Sequence, residues 1–510
     1  MITKIACGAL HGVDAFRVDL EVDFARSGLP AFTMVGLAEG AVRESRDRVL
    51  TALRNGNLRL SPARITVNLA PADRKKGGSS YDLPLAIGLL ASAGLLPEGA
   101  TDGYFMAGEL SLTGELKPVA GVLPLAILAR EEGARGFFVP LANTAEAAVV
   151  EGLAVYGLES LGQAVSFFSG RETLEAVQTS EGLDERAAGM NPMDFADVKG
   201  QEHAKRAVEI AASGGHNLLF LGPPGSGKTM LAERMPTVLP PLSFEEALEV
   251  TKIYSVAGEL PHGRGILWER PFRAPHHTIS ESGLIGGGSV PRPGEISLAH
   301  RGVLFLDELL EFHKHTLEVL RQPLENGSVT IARAAQTLTF PADIMLVAAM
   351  NPCPCGYLTD SRKRCTCSQA EIQRYRSRLS GPLLDRIDLH VEVPAVPYED
   401  FRSETPARSS EDMRRTVNAA RERQTARFRN SFGRCNADLS GRELERHCRL
   451  DAAGQAFLGE AVRSLHLSAR AYTRILRIAR TIADLEDTPD IGIPHLAEAV
   501  NCRALDRAGV

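Results

Sequence analysis

The chain has 510 residues, 44% of them AVILMFWYC and 24% charged, and 57 Lys/Arg against 63 Asp/Glu give a formal charge of −6. Such a composition excludes a wholly disordered chain and a uniformly basic nucleic-acid coat, while leaving room for a local basic surface. At roughly 150 residues per domain, the length predicts about three domains.

The opening stretch MITKIACGALHGVDAF has no charged-then-apolar leader pattern, so a cytoplasmic location is expected. Residues 1–168 alternate short β-like runs such as ITVNLA with helical runs such as LPLAIGLLASAGLL and PVAGVLPLAILAREEG, the pattern of an α/β or α+β domain. The longest apolar run, Leu83 to Leu96, is 14 residues. A bilayer span needs about 20, so no membrane partner is expected. Residues 169–194 are polar, without apolar periodicity, and read as a linker.

A second α/β block covers 195–398. Its runs HNLLFLG, GVLFLDE and IMLVAAMN are continuous and apolar, as parallel strands buried on both faces require. Residues 405–510 read as a helical end; this stretch has no lysine and is rich in arginine.

The sharpest motif is Gly222-Pro223-Pro224-Gly225-Ser226-Gly227-Lys228-Thr229, placed between a buried-strand pattern and a helical run. Glycines let backbone N–H groups wrap phosphates at a helix N-terminus, Lys228 would reach the β/γ-phosphates and Thr229 would ligate Mg²⁺. About 80 residues on, the strand GVLFL ends in Asp307-Glu308. With the loop, Asp307 would hold Mg²⁺ and Glu308 would orient the attacking water. A third strand ends at Asn351, placed either to sense the γ-phosphate or to form a turn before Pro352. In Pro382-Leu-Leu-Asp385-Arg386-Ile-Asp388, Arg386 reads equally as a surface ion pair or as an arginine finger for a neighbouring subunit. Leu467, Ala471, Ile475, Ile478 and Ile482 make an apolar helical stripe, and Arg470, Arg474 and Arg477 share another face. That arginine face is open to three readings: solvated, aimed at phosphates, or lining a DNA path.

Together GPPGSGKT, GVLFLDEL, AAMNPCPCG, LLDRIDLHVEVP and SARAYTRILRIARTIADL resemble the magnesium-chelatase-like AAA+ ATPases, in their ComM (YifB) branch. The resemblance implies an AAA+ P-loop core with a C-terminal helical lid, ATP and Mg²⁺ as cofactors, and a homohexameric ring with a site at each junction. By the family pattern Asn351 is a first sensor, Arg386 the finger acting in trans and Arg470 a second sensor. The branch is understood as ATP-driven DNA branch-migration helicases of recombination and natural transformation, so branched or single-stranded DNA is the implied partner. The N-terminal block, which the resemblance implies the chelatase motor subunit itself lacks and which therefore argues against a chelatase-type role, resembles the Lon-protease proteolytic domain, a ribosomal-S5-like α+β fold. Ser80 falls on the Lon nucleophile and Leu123 on its general-base lysine. A serine with no base is a weak nucleophile, so no peptidase activity is expected, and Lys117 is too far along the chain to substitute. Lon-type proteolysis, chelatase-type remodelling of a protein partner and a non-motor scaffold are the rival readings.

Glu325 to Phe340 alternates about a short turn and reads as a hairpin with Arg333 near its tip, either a surface loop or, by the resemblance, a pore element touching DNA phosphate. Arg270 to Gly288 occupies the place of the family's helix-2 insertion, with His276 and His277 expected to pack locally and the glycines to form a mobile loop. Cys353, Cys355, Cys365 and Cys367 form C-x-C-x9-C-x-C, the ligand count of a four-thiolate zinc site at tighter spacing than usual. Four free thiols are the alternative. Arg362, Lys363 and Arg364 lie between the pairs, as DNA-contact candidates on a knob beside the sensor.

Overall fold

The computed structural model describes residues 2–26, 29–37, 40–177, 193–288, 291–333, 336–360, 362–396, 407–428, 433–503 and 505, with backbone alone at 333 and 336. Most of the expected linker (178–192) and the junction between the second and third sequence blocks (397–406) lie outside the described residues.

The N-terminal part is built on a seven-stranded mixed sheet in the order Ala31–Val35, Arg64–Ala70, Asp14–Ala25, Ile2–His11, Tyr104–Met106, Gly136–Pro140, Val155–Leu158. Ile2–His11 and Asp14–Ala25 form an antiparallel hairpin with Ile5 opposite Leu20, and the strands from Tyr104 onward add in parallel. The long apolar run of the sequence becomes the helix Asp82–Ser92, which buries almost every residue. Gly88 lets it lie close on the sheet, since a Cβ there would come within 3.0 Å of Val22 Cγ2. No described helix is long and apolar enough to cross a membrane.

The central sheet has five parallel strands in the order Phe272–Arg273, Val303–Leu306, Met345–Met350, Leu218–Leu221, Leu389–Glu392. The apolar runs read from the sequence are its three middle strands, each fully buried, as helices on both faces of a parallel sheet demand. Because chain order and spatial order differ, the loops leaving the strand C-termini converge on one edge of the sheet, where α/β proteins bind ligands.

The helical end does not stand apart from this sheet. Ile475, Ile478 and Ile482 of the helix Ala469–Leu485 share one apolar core with Val208, Ile210, Leu389 and Val391. Beneath it His216 bonds Thr481 at 2.8 Å and lies 3.4 Å from Asp388, which also pairs with Arg474 at 2.8 Å. The N-terminal part is joined just as closely. Leu242, Ala247, Val250 and Ile266 complete the core formed by Phe105, Leu123, Phe137 and Val155. The buried carboxylate of Glu146, whose pKa burial pushes up, accepts from Leu123 N at 2.9 Å and from the Ser255 hydroxyl across that junction.

Candidate nucleotide site

Gly222 to Thr229 runs from the end of strand Leu218–Leu221 into the helix Lys228–Glu233. Glycine is required at both ends of the loop. A Cβ on Gly222 would fall 2.1 Å from Val393 O, and Gly227 holds φ +93° at the helix N-cap. Gln201 Nε2 braces the loop by donating to Ser226 O at 3.2 Å and to Pro394 O at 2.6 Å. The sequence offered no sign of this glutamine, which lies 25 residues from its partner in the loop.

Lys228 Nζ donates to Gly222 O at 2.8 Å and Pro223 O at 2.9 Å, with Asn351 Oδ1 3.4 Å away. Burial lowers its pKa, and the nearby Asp307 and Glu308 carboxylates oppose that shift. Thr229 Oγ1 donates to Asp307 Oδ2 at 2.7 Å, and Asp307 Oδ1 accepts from Glu308 N at 2.8 Å. Parallel pairing of Leu306 with Ala348 and of Leu221 with Met350 delivers Asp307, Asn351 and the loop to the same sheet edge. The chemistry fits a nucleoside triphosphate with Mg²⁺. An ammonium folds back on loop carbonyls, a hydroxyl–carboxylate oxygen pair suits a hard cation, and the buried Ser226 Oγ has no protein partner.

Glu308 adopts the left-handed region (φ +49°), and its exposed carboxylate lies 3.6 Å from His277 Nδ1. His276 packs on His277 with ring centroids 4.1 Å apart and bonds Thr278 Oγ1 at 2.9 Å, the local packing expected of this pair. The approach of His277 to Glu308 was not legible, because it arises from the pairing of edge strand Phe272–Arg273 with Val303–Leu306. Further along that segment, Gly286–Gly287 is not a free loop but pairs with Arg292–Pro293.

Arg386 and Arg470 fall elsewhere. Arg386 donates to Pro382 O at 2.6 Å and pairs with Glu325. Arg470, 69% exposed, reaches Asp385 at 3.0 Å. The arginine stripe divides: Arg474 is turned onto Asp388, and Arg477 donates to Leu439 O at 2.7 Å, so neither lines an open path. Strands Ser328–Arg333 and Gln336–Pro341 form the expected hairpin, one face packed through Val329, Ile331, Leu338 and Phe340. Its turn (334–335) and the Arg333 side chain lie outside the described residues. Arg362, Lys363 and Arg364 are exposed, Arg362 against Asp360 and Lys363 over the Tyr357 ring. The four cysteines meet in one cluster. Leu123 is wholly buried, and Lys117 is paired with Glu115 at 3.0 Å.

A parallel sheet with a phosphate loop, an Asp-Glu strand end and a polar third strand end defines a P-loop ATPase of AAA+ type. A family model described as magnesium chelatase, subunit ChlI, matches residues 194–401, and one for the C-terminal part of that subunit matches 407–503. A third, described as subunit ChlI of Mg-chelatase, matches 20–143. The front block therefore does not by itself set the chain apart from chelatase subunits, as its sequence had suggested. The chain is 46% identical over 504 residues to competence protein ComM of Haemophilus influenzae, covering 98% of this chain and 97% of that protein. It is 44% identical over 501 residues to the protein YifB of Salmonella typhimurium, covering 98% and 96%. The likeness to Lon protease 2 of Bacillus subtilis is partial, 31% over 175 residues, covering 32% of this chain and 30% of that protein. The chain belongs to the ComM/YifB family of magnesium-chelatase-like AAA+ proteins.

Proposed function

We propose that the chain is a cytoplasmic, ATP-driven motor that assembles as a homohexameric ring, moves along branched or single-stranded DNA, and promotes branch migration in recombination and natural transformation. The observation that carries this reading is the near-full-length likeness to a competence protein. It is joined to a nucleotide site in which Lys228 reaches Asn351 and Thr229 bonds Asp307, both pairs at the same sheet edge.

Each residue has a role in hydrolysis. Lys228 leaves the carbonyls of Gly222 and Pro223 for the β/γ-phosphate oxygens, exchanging neutral acceptors for charged ones. Thr229 and Asp307 hold Mg²⁺, which supplies charge neutralisation at the phosphates. Glu308 orients the attacking water and Asn351 bonds the γ-phosphate. Arg386 and Arg470 share a face with Glu325 and Asp385 and have no contact with Lys228 among the described hydrogen bonds and ion pairs. Their role is to reach a neighbour's γ-phosphate and offset its developing charge. Arg333, Arg362, Lys363 and Arg364 would contact DNA phosphates rather than base edges. Proteolysis is no part of this reading, because Leu123 stands where a base is needed.

Strand displacement on forked and four-way-junction DNA tests the proposal. Wild type with ATP should resolve these substrates and Lys228→Ala should not. A wild-type chain that hydrolyses ATP yet moves no strand on either substrate overturns it.

A further inference from the structure

We infer that Cys353, Cys355, Cys365 and Cys367 hold one zinc ion, and that this ion braces the wall of the nucleotide pocket. The four Sγ atoms all lie within 4.8 Å of one another. Cys353 is 3.4 Å from Cys355 and 3.7 Å from Cys365, and Cys355 is 3.6 Å from Cys365. A tetrahedron of thiolates at Zn–S of about 2.3 Å has S···S edges of about 3.8 Å, whereas a disulfide brings sulfurs to about 2.05 Å. The cluster therefore has the dimensions of a coordination shell and not of two crosslinks. A cage this small takes one ion, with no room for sulfide-bridged irons, and four soft thiolates select zinc over the hard cations.

The surrounding chain supports a structural metal. Cys355 N points at Cys367 Sγ at 3.4 Å, a backbone donor onto a ligand sulfur. Gly356 N closes a turn on Cys353 O at 2.9 Å, with Gly356 at φ +84°. Among the described residues from Pro352 to Thr366 there is no helix or strand, and only Pro352, Cys353 and Gly356 are buried. No apolar core holds the segment, so a metal supplies what packing does not.

Its position gives the site a consequence. Cys353 follows Asn351 by two residues, and Gly356 sits directly on the phosphate loop. A Cβ on Gly356 would meet Pro224 Cδ at 2.7 Å, and Asn351 Cγ is 3.9 Å from the same point. The loop tied by the four cysteines thus backs both Pro224 and Asn351. Without the ion those two supports are released, and nucleotide binding weakens. The inference does not depend on DNA being the motor's track.

Metal content and cobalt spectroscopy on the full chain test it. Zinc analysis should return one ion per chain, and Co²⁺ added to the stripped protein should give the intense absorption of tetrahedral cobalt bound by thiolates. Cys365→Ser should lose the ion and bind a fluorescent ATP analogue more weakly. The cobalt spectrum needs no variant, so a Cys365→Ser chain that fails to fold leaves the test intact. Substoichiometric zinc with no cobalt–thiolate band overturns the site. One zinc per chain whose removal by chelator leaves nucleotide affinity unchanged overturns the bracing.

Discussion

Arg470 Nη1 donates to Asp385 Oδ2 at 3.0 Å, which holds the exposed arginine of the helix Ala469–Leu485 one residue from Arg386. Arg386 in turn is tied to Glu325, three residues before the hairpin strand Ser328–Arg333 begins. Two arginines from sequence blocks 84 residues apart therefore share one carboxylate-lined face. In the head-to-tail ring proposed above, that face would meet the next subunit's nucleotide.

Subunit mixing follows from this arrangement. Lys228→Ala chains keep both arginines, and Arg386→Ala chains keep the phosphate loop, so each alone should be inactive. Random assortment in a head-to-tail ring restores roughly a quarter of the junctions, so an equimolar mixture should regain measurable ATPase activity. Arg470→Ala should complement Lys228→Ala in the same way. A mixture as inactive as its parts would place both arginines in cis.

Glu308→Gln should lower kcat for ATP by about 10²–10⁴ while leaving nucleotide binding intact, because the amide still fits but takes no proton from water. His277→Ala should lower kcat with little change in KM, since His277 Nδ1 lies 3.6 Å from the Glu308 carboxylate. Steady-state ATPase assays beside equilibrium binding of a fluorescent nucleotide separate the two effects.

His390, wholly buried in the strand Leu389–Glu392, has its pKa pushed down to about 3, chiefly by burial, with Arg503 adding to the shift. The unfolded chain takes up this proton first, near pH 6.5, so stability falls as pH drops from 6.5 toward 3. At pH 5 the loss is about 2 kcal/mol, and above pH 7 it vanishes. His390→Leu should flatten this part of the Tm-against-pH profile, measured by thermal unfolding between pH 7 and pH 5.

Arg333→Ala should leave DNA-free ATPase unchanged, reduce its stimulation by DNA, and weaken DNA binding equally across sequences with a shallower salt dependence, as loss of a phosphate contact requires. DNA titrations at several salt concentrations measure it.

The parts of the site that were legible in the sequence are those whose chemistry is local. Gly222 to Thr229 and Asp307-Glu308 carry their meaning in consecutive residues, and the buried strands that aim them are unbroken apolar runs. What was not legible depends on register between distant segments. Gln201 reaches Ser226 and Pro394 only once the sheet has formed, and His277 meets Glu308 only through the pairing of Phe272 with Val303. The stripe Arg470, Arg474, Arg477 shows the same limit. Helical spacing puts the three on one face, but Asp388 beneath that face turns Arg474 inward and leaves Arg470 exposed. The packing of the front block against residues 242–266 left no trace in either segment's pattern, since each apolar face reads as an ordinary core.

On the function proposed above, ATP turnover in this chain is coupled to DNA. ATPase rate with and without four-way-junction DNA, at fixed modest ionic strength and with Lys228→Ala as the control, tests it most directly. The rate should rise with junction DNA and fall to background in the Lys228→Ala chain. A wild-type rate indifferent to DNA, in a chain that does not bind the junction at that salt, would contradict it.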